Sequence, residues 1–279
     1  MMDLSTKRIV ITGATDGLGK LVARDLAEEG AGVILHGRDP EKGRRVLEEL
    51  RAATGSDALS YVNADFAALD EIRAMADAIA ADHDRIDVLV NNAGIGFGAP
   101  GSGRETSRDG YELRFQVNYL SGFLLTSRLL PLLRHPPSAR IVNVASAAQQ
   151  AIDFEDVMLE ADYSGHRAYS QSKLAQILFT VELAERLADT SITVNALHPA
   201  TYMDTNMVHE AGLTPANSVQ KGADAVEHLI ADSEPAATTG AYFNGRTPTR
   251  AAGQAYDADA RQRLWSLSER LTGEDFQQL

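Results

Sequence analysis

Short apolar runs alternate with helical patterns along most of the chain. Ile9-Val10-Ile11 reads as a strand, and Leu18, Val22 and Leu26 follow at helical spacing until Gly30 stops the pattern. Val33-Ile34-Leu35 is a second strand, residues 41–53 a helix, 59–63 a strand, 69–81 a helix and 86–90 a fourth strand. Further strands are expected at 140–144, 192–197 and 240–243, and helices at 219–231 and 256–271. Leu174, Ile177, Leu178 and Val181 mark one face of another helix, whose other side carries Glu182, Glu185 and Arg186. His135-Pro136-Pro137 stops the helix that follows Asn118. This alternation predicts an α/β fold, a doubly wound parallel sheet of about seven strands with helices on both faces. With no repeat or linker visible, residues 1–279 read as a single domain.

Composition narrows the partners. The formal charge of −13 and the pI near 4.9 argue against nucleic acid and anionic membrane surfaces. The absence of Cys excludes disulfides, thiolate metal sites and thiol nucleophiles. His83, His209 and His228 have no partner at ligand spacing, so no metal site is expected. Residues 1–8 are polar, unlike a secretory leader, and no apolar run approaches the ~20 residues of a membrane span. A cytoplasmic protein with no membrane partner is expected.

The chemistry begins between the first strand and the first helix, at Thr12-Gly13-Ala14-Thr15-Asp16-Gly17-Leu18-Gly19. Glycines permit a tight turn and close backbone approach, and the start of a helix offers unpaired N–H groups to a phosphate. The spacing, Gly-x-x-x-Gly-x-Gly, differs from the Gly-x-Gly-x-x-Gly dinucleotide fingerprint. Where an acidic residue would hold the ribose of NAD, the second strand ends at Gly37-Arg38. A guanidinium there suits the 2′-phosphate of NADP through forked, charge-assisted hydrogen bonds. Asp16 and Asp39 would oppose that phosphate, and Arg38 also reads as a solvated loop charge. Tyr169 and Lys173 fall one helical turn apart on one face, where an ammonium lowers the pKa of a phenol toward the range of an acid–base catalyst. Alone, that pair arises easily by chance on an exposed helix.

Taken in order, Thr12-Gly13-x-x-x-Gly17-x-Gly19, Asp65, Asn91-Asn92-Ala93-Gly94, Asn118, Ser146, Tyr169-x-x-x-Lys173 and Pro199 resemble the short-chain dehydrogenase/reductase family in its single-domain branch. The resemblance covers roughly residues 7–206. The 23 positions from Ser146 to Tyr169, Gly37-Arg38-Asp39 and Ser172-Lys173-Leu174-Ala175 look more like its retinol dehydrogenase and protochlorophyllide reductase type. It implies a Rossmann-type fold, NADP as cofactor (NADPH preferred over NADH), and a small-molecule carbonyl or alcohol substrate that is large and apolar in several relatives. A homodimer or homotetramer is also implied, with the helix of Tyr169 as a contact surface. Asn118 would hold a water on a proton path, Ser146 would bond the substrate oxygen, Tyr169 would be the general acid or base, and Lys173 would bind the nicotinamide ribose. Cofactor contacts are expected from Gly13, Thr15, Gly17, Leu18 and Gly19 at the phosphates, Arg38, Asp65 and Phe66 toward the adenine end, and Asn91 near the adenosine ribose. Ala93, Gly94, Tyr169, Lys173, Pro199 and Thr201 complete the set, with Thr205 as the other threonine able to meet the nicotinamide.

Residue chemistry supports these jobs independently. Ser146 follows the fifth strand, at the carboxyl end where open parallel sheets bind their ligands. Hydride addition to a carbonyl builds charge on oxygen, which a Ser hydroxyl and a Tyr phenol stabilise. Residues 149–166 are expected to wall the pocket, residues 94–110 to form a mobile loop, and residues 200–215, with Tyr202, Met203, Met207 and Leu213, a lid. The helix at 256–271, with Trp265, would cover the entrance or meet another subunit. These features favour a carbonyl–alcohol oxidoreductase. The alternatives are a non-catalytic NADP sensor, which would tend to lose the Tyr or the Lys, and an epimerase or dehydratase, which usually has a different glycine spacing.

Overall fold

The computed structural model describes residues 3–232 and 237–276; Met1 and Met2 of the leading segment lie outside that range. Eight strands form one sheet in the order β3-β2-β1-β4-β5-β6-β7-β8. They are β1 (Arg8–Ile11), β2 (Gly32–Gly37), β3 (Leu59–Asn63), β4 (Val88–Asn91), β5 (Ala139–Val144), β6 (Ile192–His198), β7 (Tyr242–Asn244) and β8 (Thr247–Thr249). All neighbours pair in parallel except β8, which turns back antiparallel on β7. β8 is one strand more than the expected seven. Its three residues are exposed and include Pro248, which a sheet tolerates only at its edge.

Strand residues alternate between two apolar layers. Val10, Ile34, Leu89 and Ile141 face one side, where α3 (Leu69–Asp82), α4 (Ser121–Leu133), α5 (Gly165–Arg186) and α8 (Ala258–Thr272) pack. Ile9, Val33, Val88 and Val142 face the other, covered by α1 (Gly17–Glu28), α2 (Pro40–Thr54) and α7 (Val219–Ala231). Each fully buried aliphatic or aromatic side chain contributes about 1.5–3 kcal/mol before entropy is counted. Caps set the helix starts: Asp39 accepts from Glu41 N and Lys42 N ahead of α2, and Ser164 accepts from Arg167 N ahead of α5.

The expectation that α5 offers a subunit surface is corrected. Every residue from Ala168 to Ala184 is buried within the chain. On its other side α8 packs against it, where Arg261 bonds the buried Glu182 at 3.2 Å and both carboxylate oxygens of the exposed Glu185 at 2.7 Å. Trp265 enters a cluster with Phe123, Phe179 and Phe276 at centroid distances of 5.3, 6.0 and 4.6 Å. α8 therefore completes the core of its own chain. Among the described residues, no helix is long and apolar enough to cross a membrane, and no group of three or more metal-ligating side chains occurs.

Candidate active site

The strand order reverses between β1 and β4, and the carboxyl ends of these strands frame the crevice where such sheets bind ligands. Thr12 stitches the two ends together: its Oγ1 accepts from Asn92 N and Ala93 N, both at 2.9 Å. Gly13 has φ +66°, and a Cβ there would lie 2.9 Å from Ala93 Cα. Gly19 is as constrained, because its Cβ would lie 2.4 Å from the Gly13 carbonyl oxygen. α1 starts at Gly17, and the first-turn N–H groups of Leu18 and Gly19 have no intrahelical acceptor, which suits an anion. The Leu18 side chain itself is buried among apolar neighbours.

Both carboxylates expected to oppose a 2′-phosphate are committed elsewhere. Asp39 caps α2, and those N–H groups hold its carboxyl below the ordinary value. Asp16 accepts from Gly17 N at 2.8 Å, Lys42 Nζ at 2.7 Å and Asn206 Nδ2 at 2.7 Å. Arg38 is exposed and forms no ion pair among the described residues. It sits beside the glycine turn, since a Cβ on its neighbour Gly37 would meet Thr15 Cγ2 at 2.5 Å. A cradle that excludes a methyl group, two free first-turn N–H groups and an uncommitted guanidinium together fit a phosphorylated dinucleotide.

Two expected cofactor contacts turn away from the crevice. Asn91 is 4% exposed and donates to Thr126 Oγ1 and Asn143 Oδ1, tying β4 to α4 and β5. Alternation along β4 explains this: Asn91 lies on the same face as Leu89, beneath α4 and α5. The Phe66 ring is stacked on His36 at 4.2 Å and buried, so it belongs to the core. Asp65 lies partly exposed, with its carboxylate on Arg108 at 3.2 Å.

The four residues expected to do the chemistry converge. Ser146 lies two residues beyond the end of β5, its hydroxyl accepting from Ala148 N at 3.1 Å, and it faces the Tyr169 phenol from across the site. Burial pushes that phenol above its ordinary value, and the neighbouring Ser146 hydroxyl offsets only part of the rise. Lys173 Nζ lies 5.7 Å from the Tyr169 ring centroid and donates to Val144 O at 2.8 Å and Gln176 Oε1 at 2.9 Å. The ammonium thus bonds these acceptors rather than the phenol, and burial pushes it down to about 7. Asn118 sits in a π-helical turn, Phe115–Leu120, that precedes α4. Its side chain accepts from Ile95 N at 2.8 Å and donates to Ile95 O at 3.1 Å and Ser172 Oγ at 2.9 Å. It therefore pins the loop after Gly94, which brings that glycine over the Lys173 ammonium.

The two threonines separate. Thr201 is exposed and bonds His198 Nε2 at 3.0 Å, whereas Thr205 lies over the glycine turn, its Cγ2 3.1 Å from where a Gly17 Cβ would be. Of the two, Thr205 is the one that lies against the glycine turn. Pro199 is buried near Gly222, and Met203 turns down onto the same glycine. Met207, whose Cγ abuts Gly96, reaches the loop beside the site, whereas Tyr202 is 44% exposed.

A family profile described as short chain dehydrogenase matches residues 7–215, which span the glycine turn, Ser146, Tyr169 and Lys173. The chain belongs to the short chain dehydrogenase family. Retinol dehydrogenase 13 of Homo sapiens is 36% identical over 96% of this chain and 85% of its own length. Retinol dehydrogenase 12 of Homo sapiens is 35% identical over 98% and 88%. Among solved structures, an uncharacterized protein from Mycobacterium Paratuberculosis superimposes with TM-score 0.81 at 32% identity over 99% of this chain and 97% of that one. A short chain dehydrogenase from Escherichia coli CFT073, complexed with NADPH, gives TM-score 0.69 at 28% identity over 88% and 98%. This short chain dehydrogenase is of the retinol dehydrogenase type, an NAD(P)-dependent oxidoreductase of carbonyls and alcohols.

Several residues of this dehydrogenase site escape sequence patterns. The Ser146 carbonyl accepts from Tyr242 OH at 3.1 Å and Gln149 Nε2 at 3.0 Å, while Gln149 Oε1 accepts from Ala252 N at 2.7 Å. Tyr242 and Ala252 come from distant segments, so no local spacing announces them, whereas Gln149 opens the stretch expected to wall the pocket. His36 Nδ1 accepts from Gly13 N at 3.2 Å and its Nε2 donates to Ala64 O at 3.0 Å, which fixes the tautomer and props the glycine turn. Its burial in the second strand's apolar run was the available signal.

Proposed function

We propose that this enzyme interconverts a small-molecule carbonyl and its alcohol with NADP(H) in preference to NAD(H), with Tyr169 as the general acid or base. Gly13, Gly17, Leu18 and Gly19 would hold the phosphates through backbone N–H groups, Arg38 the 2′-phosphate, and Lys173 the nicotinamide ribose. When bound, the dinucleotide supplies or accepts the hydride. The Ser146 hydroxyl orients the substrate oxygen, and the Tyr169 phenol hands it a proton as charge develops. Lys173 contributes a cation beside the phenol. Thr205 and Met207, resting on the glycine turn and on Gly96, serve as the inner edge of a lid at 200–215 that excludes water.

The single observation carrying this reading is the convergence of Ser146, Tyr169 and Lys173 beside the β1–β4 crevice. The test is NADPH consumption, followed by absorbance, across a panel of aldehydes and ketones. Tyr169→Phe should lower turnover by at least about 100-fold while leaving NADPH binding intact. Wild-type turnover in a folded Tyr169→Phe protein would remove Tyr169 from the chemistry.

A further inference from the structure

Lys173 has only limited freedom at the floor of the site. Its Nζ carries three N–H bonds and, when charged, no lone pair. Two are used, toward Val144 O and Gln176 Oε1, and the ammonium lies 3.5 Å from where a Gly94 Cβ would be. Lys173 and Gln176 are both 4% exposed. An amide facing an ammonium must present its oxygen, whereas a neutral amine could equally accept from the amide nitrogen. Gln176 therefore favours the charged lysine in surroundings whose burial disfavours it.

The helix backbone that carries Gln176 is tied to the sheet. The main-chain carbonyl of Gln176 accepts from Thr180 Oγ1 at 2.8 Å, Thr180 Oγ1 accepts from Asn143 Nδ2 at 2.8 Å, and Asn143 Oδ1 accepts from Asn91 Nδ2 at 2.9 Å. A buried chain of polar side chains thus runs from β4 through β5 to Thr180 and fixes the α5 backbone from which Gln176 projects. The Asn91 side chain, which turns from the crevice, begins this chain.

We propose that Gln176 is a positioning residue for the oxidoreductase reaction: it keeps Lys173 charged and aims its remaining N–H at the site. The inference rests on the roles proposed above for Tyr169 and Lys173. Two titratable groups face the ammonium, Tyr169 from its own helix and His198 from β6. Burial, and then the Lys173 charge, push His198 below its ordinary value, which favours its neutral form. Asn118 and the Gly94 loop bring no ionisable side chain to it.

The test compares Gln176→Leu, Gln176→Glu and Gln176→Asn with wild type by two readouts. [6-13C]lysine labelling gives signals from Lys7, Lys20, Lys42, Lys173 and Lys221, and Lys173→Arg identifies the one of interest. Loss of a hydrogen bond to a charged group corresponds to about one pH unit, so Gln176→Leu should move the Lys173 titration down by about that much. Gln176→Glu should move it up, and Gln176→Asn should lie between wild type and Leu. The alkaline limb of kcat/KM for carbonyl reduction should move in step. A merely structural role would lower kcat at every pH and leave both titrations in place. Titration of Lys173 within about 0.2 unit of wild type in the folded Leu and Glu variants overturns the proposal. If Gln176→Leu fails to fold, the Glu variant decides alone. If the lysine titration moves but the wild type reduces no carbonyl, the functional reading fails while the hold of Gln176 on Lys173 stands.

Discussion

Gly19→Ala adds one methyl group to the tightest point of the glycine turn. Gly19 lies in α1 without a positive φ, so alanine suits its backbone and would favour the helix by about 0.5–1 kcal/mol. Space is the obstacle. The new carbon would lie 2.4 Å from Gly13 O and 2.5 Å from Asn92 Nδ2. Carbon and oxygen rest about 3.3 Å apart at closest, so the turn must open by nearly ~1 Å. Gly13 cannot recede, being packed on Ala93 and bonded to His36. Asn92 cannot swing aside without giving up its bonds to Thr12 O at 2.8 Å and Gly13 O at 3.2 Å. Overpacking costs about 1–3 kcal/mol and each weakened hydrogen bond about 1 kcal/mol, against the small helix gain. The net loss is about 1–3 kcal/mol, or roughly 2–5 °C in Tm for a chain of this size. Because the same shift displaces the N–H groups offered to phosphate, NADPH affinity should fall at least about tenfold. Thermal unfolding and NADPH fluorescence titration measure the two effects. Gly103→Ala is the control, since a Cβ there meets nothing within 4 Å. Wild-type affinity and stability in Gly19→Ala would refute the reasoning.

The contrast between what was legible in the residues and what was not follows from range. Strands and helices were readable because apolar period and glycine stops are local; α7 runs from Val219 to Ala231 as its pattern indicates. Tyr169 and Lys173 were readable for the same reason, as i and i+4 on one helix. Side-chain direction at strand ends was less so, although alternation from Leu89 already assigns Asn91 to the α4–α5 face. The burial of α5 depends on α8, whose Arg261 lies 79 and 76 residues beyond the Glu182 and Glu185 it bonds. Thr201 and Thr205 differ by one turn of irregular chain, where no period exists to choose between them. Gln176 and Tyr242 act by touching Lys173 and Ser146, and their own neighbours in sequence carry no trace of it.

Two further expectations concern the cofactor end. Arg38→Glu should weaken NADPH by at least about tenfold more than NADH, read by parallel titrations, because only the former carries the 2′-phosphate; equal losses would remove the assignment. His36 links the glycine turn to acid stability. Burial pushes its imidazole down to about 4, so the folded state demands the neutral ring. A group with a depressed folded pKa leaves stability intact above its unfolded value near 6.5 and erodes it as pH falls toward 4. The slope approaches about 1.4 kcal/mol per pH unit within that window. Protonation of Nδ1 would also face an N–H against the Gly13 N–H, so the turn should loosen first. Urea unfolding at pH 7 and pH 5 should show the loss in wild type, and His36→Gln, which has no proton to take up there, should lose less. Carboxylates titrating in the same range act equally on both proteins and drop out of the difference. Parallel loss in the two would mean that His36 is not the group whose protonation opens the turn.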